Sequence, residues 1–375
     1  MRTAVVHEWL TTWAGSENVL AEILACFPAA DLFCVVDFLP PAQRARLGER
    51  PIATSVVQGL PFARSRYRSY LPLMPLAVEQ FDLSSYDLVI SSSHAVAKGV
   101  LTGPDQVHVS YVHTPMRYAW DLQHQYLRES GLERGVRSWI ARWMLHRLRL
   151  WDARTANGVD QFVANSSFIA RRIRKAYRRD ARVVYPPVAI ASFMPVADKE
   201  DYYVAASRMV PYKRLDLVVA AFAQATHRRL VVAGDGPELG RLRSMATPNV
   251  SFVGHQDRDG LARLLAKARA FVFAAEEDFG ILPVEAQACG TPVIAYGRGG
   301  VLESLRGADS SEPTALFFAE QSAQAILAAV EEFERDPGRF RPEACRRNAE
   351  RFAPDRFHRE FRAVVERAMS DAGHA

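Results

Sequence analysis

The stretch from Arg269 to Gly300 limits the choice of fold more tightly than any other part of the chain. Ala270 to Ala275 and Thr291 to Tyr296 are short apolar runs of strand type. Between them lie one loop and one short helix. Pro283 suits a first helical turn, Glu285-Ala286-Gln287-Ala288 are mostly good helix formers, and Gly290 supplies a left-handed residue that ends such a helix. The order is strand, loop, helix, strand. A helix that starts after a Gly-containing loop offers free backbone N–H groups and a positive dipole end, so phosphate is expected near Gly280-Ile281-Leu282.

Two carboxylates bracket that position, Glu277 in the loop and Glu285 in the helix, with seven residues between them. A carboxylate accepts hydrogen bonds from two neighbouring hydroxyls, which is how proteins hold a ribose or a hexose. The pair suits a nucleotide-sugar. The competing reading leaves Glu285 to complement the helix dipole and Glu277 to solvent.

The motif from Glu277 to Ala286, with Ala288-Cys289-Gly290-Thr291-Pro292-Val293 after it, resembles the Glu-x7-Glu signature of retaining GT-B glycosyltransferases of family 4. Asp278 stands where the family usually has Gly. The resemblance implies an α/β protein with two Rossmann-like domains facing a central cleft. Residues 1–190 would form the acceptor domain and 191–354 the nucleotide-sugar domain, and a last helix over 355–370 would cross back to the first. At 375 residues the chain is itself too long for one ordinary core.

Thr3–Val6, Leu32–Val36, Asp87–Ser92 and Val107–Tyr111 read as strands of the first domain, alternating with helices as a parallel sheet requires. Gly15-Ser16-Glu17 opens a helix, and a Gly-containing turn there could approach a phosphate or sugar closely. Relatives carry Gly-Gly where this chain has Ala14-Gly15. Just past the fourth of these strands, where ligands bind in open α/β sheets, comes His113-Thr114-Pro115-Met116-Arg117-Tyr118-Ala119-Trp120-Asp121. It resembles a block of bacterial mannosyltransferases in the same family. The resemblance puts His113 against the donor sugar and makes Arg117 and Asp121 weaker candidates for acceptor contact.

In the second domain, Arg208 and Lys213 follow the strand Tyr202–Ala206, two cations placed to grip a diphosphate. They match the family's Gly-Arg-x4-Lys clamp, with Ser207 in place of Gly. Leu230–Ala233 with Gly234, and Val250–Val253 with Gly254, are further strand-and-turn pairs, and the resemblance implies that Gly234, Gly254 and Phe279 border the donor. Leu239 stands where a dinucleotide fingerprint needs its third Gly, which argues against an NAD enzyme. Asp257-Arg258-Asp259 has metal-binding spacing but precedes a helix, so capping explains it better and no metal or other cofactor is expected.

The formal charge of +5 and pI near 9.1 point to an acidic partner. Pro61–Phe81 mixes arginines and aromatic rings with an apolar run, a composition that fits either a membrane contact or a helix packed on a sheet. Gly135–Thr155 places Val136, Trp139, Ile140, Trp143, Met144, Leu148 and Trp151 at helical spacing, which reads first as a core-packed face with arginines outside and otherwise as a membrane-lying helix. Ile169–Arg182 adds Arg171, Arg172, Arg174, Lys175, Arg178, Arg179 and Arg182, a field suited to anionic lipid or a lipid diphosphate. No nucleic-acid motif accompanies these arginines, and a nonenzymatic membrane or nucleic-acid scaffold is the distant alternative.

Four cysteines without Cys-x-x-Cys spacing read as reduced residues of a cytoplasmic protein, with peripheral contact at the inner membrane face left open. No signal peptide is expected, and the uncharged stretch Val183–Ala197 is too rich in proline to be more than a linker. By resemblance the substrates are GDP-mannose and a lipid-linked or oligosaccharide acceptor of bacterial surface polysaccharide assembly, with a UDP-sugar as the alternative donor.

Overall fold

Short apolar strands separated by helices pair in parallel, because each crossover returns the chain to the same end of the sheet. The computed structural model describes residues 1–196 and 198–373. Ala197, the last residue of the expected linker, lies outside the described residues. The chain divides into one unit of Met1–Tyr185 with Phe357–Ala375 and a second of Pro186–Arg356.

The first unit holds β1 (Thr3–Leu10), β2 (Asp31–Asp37), β3 (Ile52–Thr54), β4 (Leu88–Ser93), β5 (Val107–Val112), β6 (Gln161–Ala164) and β7 (Ala181–Val183). They form one sheet in the order β3-β2-β1-β4-β5-β6-β7, with every pairing parallel. The second unit holds β8 (Tyr203–Ala206), β9 (Leu230–Ala233), β10 (Val250–Gly254), β11 (Ala270–Phe273), β12 (Val293–Tyr296) and β13 (Ala315–Phe318). Their order is β10-β9-β8-β11-β12-β13, again all parallel. Both sheets are Rossmann-like and doubly wound. Strand order reverses between β1 and β4 in one and between β8 and β11 in the other, and the crevice beyond those strand ends is where such sheets bind ligands.

The last helix, Pro354–Asp371, sends Phe357, Phe361 and Val365 into the core of the first unit. Phe357 and Phe361 lie edge-on to Tyr111 of β5, at 5.8 and 6.1 Å between ring centres. β1 runs four residues beyond the Val6 at which the sequence pattern stops, because His7 and Glu8 are fully buried there with polar partners.

The helix Val136–Thr155 meets the core-packed expectation only in its second half, where Leu148 and Trp151 pack on the unit, and departs from it in its first half. Val136, Trp139, Ile140 and Trp143 are 78, 73, 50 and 55% exposed, a stripe at i, i+3, i+4 and i+7 that points away from the unit. The packed side is Ser138, Leu145, Leu148 and Asp152. What turns the helix is a buried ion pair: Lys98 Nζ lies 2.8 Å from Asp152 Oδ1, with both side chains essentially without exposure. The same ammonium reaches the Asp152 carbonyl at 2.7 Å and Thr155 Oγ1 at 2.8 Å. Asp152 Oδ2 accepts from Trp120 Nε1 at 2.7 Å and from the Tyr177 hydroxyl at 3.0 Å. Burial pushes the Lys98 pKa below its ordinary value, with Asp152 acting against that shift.

The Pro61–Phe81 region resolves into short turns of helix that bury Met74, Ala77 and Val78, as the packed reading expects, and expose Phe62, Leu73 and Leu76. In the helix Ser167–Tyr177, Ile169, Ile173 and Tyr177 are buried while Arg171, Arg174 and Lys175 are exposed.

Removing one partner of a buried pair leaves the other charge uncompensated, at a cost of about 3–5 kcal/mol. Asp152→Ala should therefore shift the denaturant midpoint of the first unit strongly downward. A midpoint within experimental error of wild type would show that Lys98 finds solvent without it.

Candidate active site

In the second unit the site grows from the ends of β8 and β11. The helix Ile281–Ala288 begins at Gly280, which sits in the left-handed region at φ +87°. A Cβ there would come within 3.1 Å of Val301 Cγ1. Gly290, at φ +67°, closes the same helix as the sequence pattern requires. The helix is bolted from behind by buried amides. Asn348 Nδ2 donates to Gln287 Oε1 at 2.6 Å and to the Ser304 carbonyl at 2.8 Å. Phe279 is buried against Phe352 at 5.2 Å between ring centres.

The loops after β8 and β9 are zipped together through glycine. A Cβ on Gly234 would lie 1.9 Å from the Ser207 carbonyl oxygen, and one on Gly236 would lie 2.4 Å from that of Met209. Gly234 N–H donates to the Gly254 carbonyl at 2.8 Å, and Met209 N–H to the Asp235 carbonyl at 2.8 Å. Gly234 thus holds the backbone that carries Arg208. Glu277 is fixed in the same manner: Gly300 N–H donates to its carbonyl at 2.8 Å, and a Cβ on Gly299 would stand 2.4 Å from that oxygen. Neither Gly299 nor Gly300 stood out in the sequence, although a Gly-Gly pair after β12 was the visible signal.

On this frame Arg208 is exposed and pairs with no described residue, whereas Lys213 and Glu277 form an ion pair with each other. Glu285 is partly buried and accepts no hydrogen bond from the described residues. Burial pushes its carboxyl up to about 7, with Arg258 opposing the shift. The segment thus sets one cation free, keeps one paired, and holds a carboxyl near neutrality. Asp257 caps the helix Arg258–Lys267, its Oδ1 accepting from Gly260 N–H at 2.7 Å. No group of three or more His, Cys, Asp or Glu side chains among the described residues is placed to hold a metal ion.

In the first unit, Gly15 is the first residue of the helix Gly15–Cys26, directly after the β1 loop. His113 follows β5, and its Nε2 lies 2.9 Å from Ser92 Oγ on β4. Desolvation pulls its pKa down to about 3, and the neighbouring His94 and His7 add to the shift. Beside it, Glu8 accepts from the N–H groups of His94, Ala95 and Ala97 at 2.8, 2.8 and 3.1 Å, and from Ser93 Oγ at 3.1 Å. Its second oxygen faces His94 Nδ1 at 3.1 Å. Burial alone would raise the Glu8 pKa, but His94 and these donors hold it well below the usual carboxylate range. Arg117 is half-buried, and Asp121 pairs with Arg172 at 2.5 Å. His7, Glu8, Glu17 and Ser92 escaped the sequence reading, although His7-Glu8 inside an apolar strand was a visible anomaly.

Two family models match the chain: "Glycosyltransferase Family 4" over residues 13–192 and "Glycosyl transferases group 1" over 192–352. A D-inositol 3-phosphate glycosyltransferase of Mycobacterium marinum is 27% identical over 246 residues, 59% of this chain and 53% of the relative. A GDP-mannose-dependent alpha-(1-6)-phosphatidylinositol dimannoside mannosyltransferase of Mycobacterium tuberculosis is 35% identical over 143 residues, 37% of this chain and 36% of the relative. The chain thus spans about half the length of the curated relatives it matches, or less. Among solved structures, Anabaena Alr3699/HepE in complex with UDP and glucose superposes with a TM-score of 0.69 at 17% identity, covering 97% of this chain and 99% of that one. A sucrose-phosphate synthase of Thermosynechococcus elongatus does so with a TM-score of 0.74 at 18% identity, covering 99 and 100%.

Glu285 gives a test that needs no ligand. Its folded pKa of about 7 lies above the ordinary 4.5, so its stabilising contribution is complete below about pH 4.5 and is lost as pH rises through 7. Above that, the buried charge costs up to roughly 3 kcal/mol. Glu285→Gln should raise the unfolding midpoint relative to wild type at about pH 8, and the advantage should vanish toward about pH 4. An advantage that is the same at both would mean that no charge is buried there.

Proposed function

Because the chain belongs to the GT-B glycosyltransferases of family 4, by two models that together span residues 13–352, we propose that it transfers a hexose from a nucleotide-sugar to a glycan acceptor with retention at the anomeric carbon. The observation that carries this reading is the second-unit segment itself. Among the described residues Arg208 has no ion-pair partner and the Glu285 carboxyl accepts no hydrogen bond, while Lys213 pairs with Glu277, all at the strand-order reversal and beside a helix N-terminus.

The donor's diphosphate takes Arg208, Lys213 and the Gly280-Ile281-Leu282 backbone, and Glu285 in its ionised form accepts from the ribose diol. Diphosphate at Lys213 releases Glu277 toward the hexose. The bond from C1 to the phosphate oxygen breaks and charge develops on the leaving diphosphate, where these cations and the helix dipole stabilise it. The acceptor oxygen bonds C1 on the face that the diphosphate leaves, and its proton passes to the departing phosphate. His113, uncharged, offers a hydrogen bond to a sugar hydroxyl. The reading calls for no metal, since arginine, lysine and helix N–H groups already supply the positive charge.

GDP-mannose is the favoured donor, supported by the name of the M. tuberculosis relative, and a UDP-sugar is the alternative, supported by the UDP in Alr3699/HepE. A panel of GDP- and UDP-sugars scored by thermal protection decides between them, since a ligand of the native state raises its melting temperature by mass action. Arg208→Ala and Lys213→Ala should each lower transfer about a hundredfold, roughly 3 kcal/mol, with the fold intact. Near-normal rates in both variants would sink the role given to these cations.

A lipid-linked acceptor fits the first unit. No helix among the described residues is long and apolar enough to cross a membrane, but the outward stripe of Val136, Trp139, Ile140 and Trp143 runs beside Arg137, Arg142 and Arg147. Arg171, Arg174 and Lys175 add exposed charge, and each basic residue near an anionic surface contributes about 1 kcal/mol. The protein should sediment with anionic vesicles at low salt, release at high salt and ignore neutral vesicles. Trp139→Ser with Trp143→Ser should weaken that binding, as should Arg171→Glu with Arg174→Glu. Wild type that stays in the supernatant at low salt would point to a soluble acceptor.

A further inference from the structure

His113 does not stand alone at the end of β5. A line of buried side chains runs inward from it across three elements: Nε2 lies 2.9 Å from Ser92 Oγ on β4, and Ser92 Oγ lies 3.1 Å from Nδ1 of His7 on β1. His7 Nε2 in turn faces Glu17 Oε1 of the helix Gly15–Cys26 at 3.5 Å. His7 and Ser92 have no exposure and Glu17 has 4%. Glu17 is also fixed from its own side, accepting from Ala14 N–H at 2.8 Å through Oε2 and from Ser16 Oγ at 3.0 Å through Oε1.

Donor and acceptor balance along this line leaves few choices. An ionised carboxylate only accepts, so His7 carries its proton on Nε2 toward Glu17. Neutral His7 then has a lone pair on Nδ1, which the Ser92 hydroxyl must fill with its single proton. Ser92 is left with lone pairs, so the bond at its other side is donated by His113 Nε2–H. The Nδ1 of His113 is what remains. No described residue hydrogen-bonds it, and it is not walled in.

We propose that Glu17, His7 and Ser92 are positioning residues that hold His113 in its Nε2–H tautomer, so that Nδ1 presents a hydrogen-bond acceptor and never a donor to a sugar hydroxyl. A buried partner that fixes which ring nitrogen is protonated is the same device that orients metal-ligating histidines. Burial and the neighbouring His94 both pull the His113 pKa down, which agrees with a bare Nδ1. His113 is therefore a permanent acceptor rather than a proton-transferring base.

The tautomer half of the proposal stands on geometry alone, and the sugar half rests on the transferase reading above. Long-range proton–nitrogen correlation spectra of the wild-type protein at neutral pH separate the two. His113 should show a pyrrole-type Nε2 and a pyridine-type Nδ1, with no titration between about pH 5 and 8. An Nδ1–H ring, or a titrating one, overturns the proposal whatever the protein transfers. Ser92→Ala should then mix the tautomers, and Ser92→Thr, which keeps the hydroxyl, should restore the single form. If the fold tolerates neither variant, the wild-type spectrum still decides. With the donor identified, Ser92→Ala should raise the KM for the sugar nucleotide roughly fivefold, the worth of one hydrogen bond, while affinity for the nucleoside diphosphate alone is unchanged. An equal loss for both ligands would mark Ser92 as merely structural.

Discussion

The carboxylate of Glu8 has no exposure, and an ion cannot be taken out of water unless every oxygen is answered. Its answer is the chain segment that follows β4. The N–H groups of His94, Ala95 and Ala97 converge on one oxygen and His94 faces the other, so the segment is wrapped around the charge. The wrap fixes the direction in which the next residue leaves. Lys98 goes into the interior, where it meets Asp152, and Asp152 takes hydrogen bonds from Trp120 and Tyr177. One buried carboxylate on β1 thus determines, through a second buried ion pair, where the block carrying His113 is anchored and which way a helix of 20 residues faces.

The second unit reaches a similar end by other means. Its site loops are held by backbone approaching backbone, at Gly234 against Ser207, Gly236 against Met209 and Gly299 against Glu277. Any side chain at these positions would strike a carbonyl. The consequence is electrostatic: with the loops fixed by glycine, the charged side chains are not consumed in holding the fold. Among the described residues Arg208 and Glu285 remain available, and Lys213 pairs with another site residue, Glu277.

This difference explains what could be read from the sequence. Strands, the helix opening at Gly280 and the Glu277 to Glu285 spacing are encoded within a few residues, so local pattern reaches them. The orientation of Val136–Thr155 is not encoded there. An apolar stripe at helical spacing fits a core or a solvent-facing surface equally well, and the residue that decides, Asp152, has its partner Lys98 54 positions away. Polar residues are expected outside, so Asp152 on the packed side inverts the rule through a contact that no window contains. His7 and Ser92 are hidden for the same reason, being 85 positions apart on neighbouring strands. The position of Arg208 and Lys213 after a strand, by contrast, was legible because the loop that carries them is short and follows β8 directly.

Charge is also placed differently in the two units. A nucleotide-sugar concentrates its charge on the diphosphate, while its sugar is neutral and offers only hydroxyls. The second unit turns cations and a helix N-terminus outward, groups that distinguish phosphate from everything uncharged. At the ends of β1 and β4 the first unit keeps Glu8 and Glu17 inward, answered by histidines, serines and backbone, and the residue that follows β5 is the imidazole of His113. A neutral acceptor at His113 discriminates by direction and not by charge, since a hydroxyl satisfies it and a second acceptor does not. Burying the charge is what makes that neutrality stable. Burial pulls the His94 pKa down but Glu8 raises it further, and the positive field of His94, 6.2 Å away between ring centres, disfavours a proton on His113. The costly carboxylate in β1 and the uncharged ring at the end of β5 are therefore two ends of one electrostatic arrangement.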